Sequence, residues 1–263
     1  NSLSELWSIF DFIMPKYLTT DEIREKYINF FAKEHQHTLV ESSSLVPDNP
    51  TVLLTTAGML QFLPYFLGLE QPPYNPARAT SCQKCARAGG KDSDIENVGR
   101  TPRHHTFFEM LGNFSVGDYF RKEALTWAFE ILTSEKWFGF DLNKLYFTVY
   151  TGDEESINIW KSLGVDESHI IPLKDNFWEI GEGPCGPDSE IFYDRGEKYD
   201  PQNLGIKMLK EDIENDRYIE IWNIVFSQYN SKPGTPREEY EELPSKNIDT
   251  GMGLERMACV MQE

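Results

Sequence analysis

Two hydrophobic periodicities run through this chain, and the switches between them mark its elements. After Thr19-Thr20-Asp21-Glu22, a capping-box spelling, apolar residues recur at Ile23, Tyr27, Phe30 and Phe31. That spacing predicts a helix fading at His35-Gln36-His37. Thr38 to Val46 reads as extended, and Pro47-Asp48-Asn49-Pro50 as a turn, because each proline restricts its predecessor. Val52 to Thr56 and Ala79 to Ala88 are candidate strands. His105 to Leu111 is a third, and the polar stretch Gly89 to Arg100 then forms the charged tip of a hairpin. Long loops in compact domains are more often functional than idle.

Further on, Glu123 to Leu132 predicts a helix with Leu125, Phe129 and Leu132 inward. Leu145 to Tyr150 alternates like a strand, and Asp153 can cap a helix carrying Ile157, Trp160 and Leu163. Phe177 to Gly186, rich in Gly, Trp and Pro, reads as a shaped loop before a short strand, Ile191 to Tyr193. Tyr199 to Asn215 reads as a surface excursion, Tyr218 to Tyr229 as a strand, and Ser231 to Asn247 as a Pro- and Glu-rich loop. Gly253 to Gln262 closes as a helix. Irregular alternation of strands and helices with hairpins predicts an α+β fold around a largely antiparallel sheet.

At 263 residues the chain can bury a full core. No apolar run is long enough to span a bilayer. Leu3 to Met14 carries Glu5 and Asp11 and lacks a basic n-region, so a signal peptide is not expected. Four cysteines do not make a disulfide framework, which points to a reducing compartment, the cytoplasm or an organelle. With 25 basic and 43 acidic residues the formal charge is −18, which argues against nonspecific nucleic-acid binding by the whole surface. Arg78, Lys84, Arg87, Lys91, Arg100 and Arg103 nevertheless fall in one short stretch.

Candidate chemistry sits in two segments. One is Thr101-Pro102-Arg103-His104-His105-Thr106-Phe107-Phe108-Glu109-Met110-Leu111-Gly112-Asn113-Phe114-Ser115; the other is Asp249-Thr250-Gly251-Met252-Gly253-Leu254-Glu255-Arg256. Aromatics can stack a base, cations can hold a polyphosphate, and glycines let the backbone approach a ligand closely, which together suggest a nucleotide platform. Cys82-Gln83-Lys84-Cys85 has zinc-like spacing, but a second cysteine pair is missing and a strand would turn the two thiols to opposite faces; no zinc is expected. Glu220 and Asn223, three apart on a strand, would also face opposite ways unless a bulge intervenes.

Three elements in order resemble motifs 1, 2 and 3 of class II aminoacyl-tRNA synthetases: a helix-strand ending at Pro47, a strand-loop-strand with Arg87 and Phe108, and a strand-helix with Gly251, Gly253 and Arg256. The wording of Arg103 to Ser115, Ile219 to Phe226 and Asp249 to Arg256 is similar to that of the alanyl-tRNA synthetases, and the resemblance runs from about Ile23 to the end of the chain. It implies a class II antiparallel sheet flanked by helices over residues 18–263, stopping after motif 3, with residues 1–17 as an N-terminal extension. It further implies ATP and Mg²⁺ as co-substrate and cofactor, L-alanine as substrate, and tRNA(Ala) as partner through a longer protein.

Residue by residue, the resemblance implies that Arg87 grips the ATP α-phosphate and that Lys91 assists adenylate formation. His104, with His105 as a competing candidate, meets the terminal phosphates. Phe108 and Arg256 sandwich adenine beside Gly253. Glu220, with Asn223 as a second candidate, holds Mg²⁺; the Asn223 amide alternatively binds alanine. Asp249 pairs with the alanine ammonium beside Gly251, and Trp178, Val225 and Met59 wall a small side-chain pocket. The chain departs from the family at Asp188, where cysteine is common. Two other readings stay open: a catalytically silent ATP-binding module, and a zinc-dependent nucleic-acid-binding protein.

Overall fold

The computed structural model describes residues 17–47, 53–88, 95–101, 103–179 and 181–262. A nine-stranded sheet carries the fold. Its strands are β1 (Thr38–Leu39), β2 (Arg78–Ala86), β3 (Phe107–Val116), β4 (Leu145–Tyr150), β5 (Ile170–Leu173), β6 (Phe177–Trp178), β7 (Gly183–Asp194), β8 (Tyr218–Ser231) and β9 (Glu241–Gly253). Their spatial order is β1-β2-β3-β9-β8-β7-β4-β5, with β6 paired to β7. The β1/β2 and β4/β5 pairs at the two edges are parallel and the others antiparallel. The predicted α+β architecture is the one observed.

Among the described residues, four helices of eight or more residues accompany the sheet: α1 (Thr20–Asn29), α2 (Arg121–Thr133), α3 (Glu154–Ser162) and α4 (Leu254–Met261). Helix α1 starts at the expected capping box. The Glu22 amide donates to Thr19 Oγ1 at 3.3 Å, and the Thr19 amide donates to the Glu22 carboxylate at 2.8 Å. A π-helical turn, Phe30–Glu34, extends it, and Ile23, Tyr27, Phe30 and Phe31 are buried as the period requires. Asp153 caps α3 through the Ser156 amide, and Trp160 is fully buried.

Strand alternation assigns each sheet face a job. On β3, β8 and β9 one set of positions (Leu111, Trp222, Met252) is fully or almost fully buried within the main core beneath α1 and α4. Asn113 and Thr250 share that side and are satisfied there: Tyr27 Oη donates to Asn113 Oδ1 at 3.0 Å, and Thr250 Oγ1 does so at 2.7 Å. The intervening positions (Phe108, Met110, Asn223, Val225, Asp249, Gly251) point to the other face.

Several boundaries differ from the sequence expectation. The extended stretch after α1 is a strand only at Thr38–Leu39; beyond it Val40 and Ser43 bond to Thr80 and the Gln83 side chain. Residues 53–56 are not a strand, and 51–52 lie outside the described residues, as do 48–50 of the expected turn, 89–94 of the hairpin tip and residues 1–16 of the expected extension. The supposed loop at Phe177 to Gly186 contains β6 and the start of β7. Ser231 to Asn247 is a loop with a 3-10 turn, Arg237–Glu239, only as far as residue 240, and from Glu241 it is β9. Glycines and prolines blur the period there. Pro244 is tolerated because it sits where the β8–β9 register breaks, between Ser227 and Tyr229. Phe129, expected inward, is half-buried, packed against the core margin. The excursion at Tyr199 to Asn215 buries Met208 and Leu209.

Candidate active site

A cavity of about 270 Å³ opens on the sheet face away from α1 and α4. Of the residues singled out from sequence, Arg87, Phe108, Trp178, Glu220, Asn223, Val225, Asp249, Gly251, Gly253 and Arg256 line it. His104 does not: it hydrogen-bonds Thr101 Oγ1 through Nδ1 at 2.6 Å, while His105 reaches the wall. Met59 does not either. It is buried with Phe62, Phe66 and Phe114 in a second small core, and Ala57 and Met110 stand at the cavity instead. Lys91 lies outside the described residues.

Glu220 and Asn223 do face one site. Trp222 pairs with Ile191 of β7 but Glu220 pairs with the next residue, Phe192, so Ile221 is an inserted residue in β8. The bulge resets the alternation by one and turns both side chains to the cavity. Ile221 itself joins the lining.

The cations are held from several elements. Arg87, just past β2, donates Nε to the Thr56 carbonyl at 3.1 Å, and its guanidinium carbon lies 5.3 Å from the Phe108 ring centroid. Arg256, on the first turn of α4, donates Nη1 to the Glu220 carbonyl at 3.0 Å and to its carboxylate at 2.9 Å. Its Nε donates to the Arg103 carbonyl at 3.2 Å. Glu255 beside it accepts the Glu109 backbone amide at 3.0 Å, which ties α4 to β3. The Glu-Arg dipeptide therefore pins the helix to β3 with one side chain and to β8 with the next. Arg103, Met110 and Glu255 are lining residues that sequence reading did not single out; their adjacency to Phe108 and Arg256 was the available signal.

The opposite end of the cavity is acidic. Asp249 is buried, and burial alone pushes its carboxyl up to about 7. On β7, burial also raises Asp188 and Glu190, and the neighbouring Glu220 carboxylate adds to both shifts. Such an array favours a bound cation, since a positive charge entering it lowers all three penalties. Cys82 and Cys85 are elsewhere: Cys82 donates to Glu109 at 2.9 Å and Cys85 is buried. Among the described residues no cluster of three or more His, Cys, Asp or Glu side chains could hold a metal.

Glycines give this face its depth. A Cβ on Gly251 would stand 2.8 Å from Met110 Sδ, so only a bare backbone leaves room between the thioether and the cavity.

The chain and its fold match a known class. Residues 22–263 fit the family model described as tRNA synthetases class II (A). The structure superposes on an apo Staphylococcus aureus histidyl-tRNA synthetase with a TM-score of 0.53 at 11% identity, over 94% of this chain and 68% of that one. The chain belongs to the class II tRNA synthetases. Within that class it is 58% identical over 248 residues to an alanine–tRNA ligase of Lactococcus lactis subsp. lactis. It is 57% identical to one of Streptococcus pneumoniae serotype 2. Each alignment covers 94% of this chain and 28% of the relative's length.

Proposed function

We propose that this chain activates L-alanine with ATP, forming alanyl-adenylate and pyrophosphate, as the aminoacylation unit of an alanine–tRNA ligase that then charges tRNA(Ala) in the cytoplasm. The observation that carries the reading is Asp249. A buried carboxylate with no cation beside it is costly, and the α-ammonium of an amino acid is the partner that relieves it. Trp178, Val225 and Met110 close round that end and leave room for a small side chain.

ATP fits the other end. Phe108 offers a stacking face for adenine, Arg256 the planar cation that can cover the ring from the opposite side, and Gly253 a close backbone edge. Arg87, already turned toward the Phe108 ring, is the cation for the α-phosphate. His105, rather than His104, is the cavity-wall imidazole. The alanine carboxylate oxygen attacks the α-phosphorus, forming one P–O bond, while the bond to the β-phosphate oxygen breaks and its electrons leave with pyrophosphate. Negative charge builds on the α-phosphate oxygens, and a fixed guanidinium there stabilises the transition state more than the ground state. Binding the ammonium at Asp249 orients the carboxylate for in-line approach.

Mg²⁺, arriving with ATP, would supply positive charge that offsets that of the phosphates. Glu220 fits as its protein ligand, being a half-buried hard oxygen donor at the cavity. Asn223, which lines the cavity beside Val225, is better used for the amino acid. No helix among the described residues is long and apolar enough to cross a membrane.

Amino-acid-dependent exchange of labelled pyrophosphate into ATP, run across a panel of amino acids, tests this. Alanine should support the fastest exchange. Robust exchange with a different amino acid and none with alanine would overturn the assignment.

A further inference from the structure

Asp188 is buried on β7, 3% exposed, and is not itself a cavity-lining residue. It pairs in register with Val225 of β8, and its backbone amide donates to the Asn176 carbonyl at 2.9 Å. One carboxylate oxygen accepts a hydrogen bond from Asn223 Nδ2 at 3.0 Å. Among the described residues no cation pairs with it: the neighbours are Asn223, Asn176, Glu220 and Glu190. Asn223 does line the cavity, and its own Oδ1 is buried with no hydrogen-bond partner.

An amide can turn either of two chemically opposite edges toward a ligand. When ionised, the Asp188 carboxylate can only accept, and the Asn223 amide then directs its NH₂ inward, as the Nδ2 contact has it. Its oxygen is then the edge turned away from Asp188, buried and unpartnered among the described residues. Across the ladder from Asn223 stands Gly251 of β9, and Asp249 pairs with Val225 two residues on. An ammonium group is a donor only. It is bound by an amide oxygen and repelled by an amide NH₂, so the flip state of Asn223 decides whether that wall attracts or excludes the substrate.

We propose that Asp188 is a positioning residue that fixes the Asn223 amide with its oxygen toward the cavity, where it joins the Asp249 carboxylate in accepting hydrogen bonds from the α-ammonium of the bound amino acid. The inference rests on the reading above that an amino acid occupies this end of the cavity. It assigns a reason to an uncompensated buried carboxylate that touches no substrate, and to the orphaned amide oxygen next to it. Both would otherwise be unexplained costs in the fold.

The test is steady-state exchange and alanine calorimetry on the whole chain, with four variants. Asp188→Leu removes the acceptor while keeping the volume, and should raise the KM and Kd for alanine about tenfold or more, the range for a hydrogen bond to a charged group. The KM for ATP and the kcat at saturating alanine should stay within about threefold, because the phosphate end is untouched. Asp188→Asn still offers an oxygen to Asn223 Nδ2 and should recover most of the alanine affinity. In an Asn223→Ala background, Asp188→Leu should add little further loss. If Asp188→Leu does not fold, Asp188→Ala carries the same expectations. An unchanged alanine KM overturns the proposal. So does an Asp188→Asn defect as large as that of Asp188→Leu, which would assign the effect to charge. Equal losses with and without Asn223 overturn it too. The ammonium is common to all amino acids. If the wild-type chain proves to use another one, the alanine reading falls, and the same comparisons with that substrate judge Asp188 separately.

Discussion

Asp188 and Asp249 stand on the two strands that flank β8, and both pair in register with the same residue, Val225. Two buried carboxyls thus bracket one small aliphatic side chain on the face that holds the cavity. The arrangement disfavours the empty fold and favours a bound cation, and it separates the site into an acidic end and an arginine end.

The first expected outcome concerns Asp249 and pH. Its folded carboxyl is raised from an ordinary value of 3.8 to about 7, so the folded chain holds a proton that the unfolded chain has lost across that window. Its contribution to stability is therefore fully present below about pH 4 and is lost as pH rises through 7. Asp249→Asn should remove this dependence, making the unliganded protein more stable than wild type at pH 8 by about 1–3 kcal/mol and not at pH 4. Amino-acid activation should meanwhile collapse. In the wild type, kcat/KM for alanine should climb about tenfold per pH unit up to about 7 and then level. Denaturant melts at the two pH values and one pH–rate series check this; a variant less stable at both would show that the carboxylate is doing something other than awaiting a cation.

Arginine geometry gives the second. Arg256 makes three hydrogen bonds from a planar fork, to the backbone and side chain of Glu220 and to the Arg103 carbonyl. A lysine supplies charge without the fork or the flat stacking face. Arg256→Lys should raise the KM for ATP and lower kcat/KM by about 2 kcal/mol, roughly 30-fold. Arg87→Ala should act mainly on kcat, by at least about 2 kcal/mol, since its contact strengthens as charge develops. Single-turnover adenylate formation separates the two effects. Near-wild-type kinetics for either variant rejects its role.

Two glycines should fail in different ways. A Cβ on Gly186 would run into the Phe226 backbone carbonyl of β8, which cannot move without breaking the ladder. Gly186→Ala should therefore destabilise the fold by about 2–4 kcal/mol. A Cβ on Gly251 meets the Met110 thioether, a flexible side chain that can swing away. Gly251→Ala should leave the melting temperature nearly unchanged and raise the KM for alanine, because Met110 moves into the cavity. Thermal melts with alanine titrations distinguish them, and a reversal of the two phenotypes contradicts the packing described.

Discrimination against close analogues should be weak. Glycine lacks one methyl group and serine adds one hydroxyl, and a pocket extracts only about 1–3 kcal/mol from such differences. On the proposed reading Asp249 and Gly251 hold what all three amino acids share. Exchange with glycine and serine, freed of contaminating alanine, should run within about 200-fold of the alanine rate in kcat/KM. Rejection of both by more than about 10⁴-fold would mean that the walls at Trp178 and Val225 act by some stronger device.

Sequence alone determined what is local. The capping box at Thr19, the buried stripe Ile23, Tyr27, Phe30 and Phe31, the strand Leu145–Tyr150 and the Asp153 cap follow from spacing and backbone chemistry within a few residues. The family resemblance marked most of the cavity wall, from Arg87 and Phe108 to Asp249 and Arg256. Tertiary structure decided what depends on register. Glu220 and Asn223 share a face because Ile221 is an inserted residue, and an insertion is defined only against the partner strand β7. Met110 reaches the cavity because its direction on β3 is set by pairing with β2 and β9, whereas Met59, on the 3-10 turn Gly58–Phe62, packs into the second core. Before β3 begins, His104 is turned to Thr101 and His105 to the cavity, a choice made by contacts along the folded chain. Gly-, Pro- and Glu-rich segments became β7 and β9 because their neighbours supplied the hydrogen bonds that their own composition did not advertise. The buried carboxyls are the clearest case. Nothing in the letters around Asp188 or Asp249 tells that each lies against Val225 and away from water. Burial is a property of the assembled sheet, and it is burial that raises their proton affinity and readies the site for a cation.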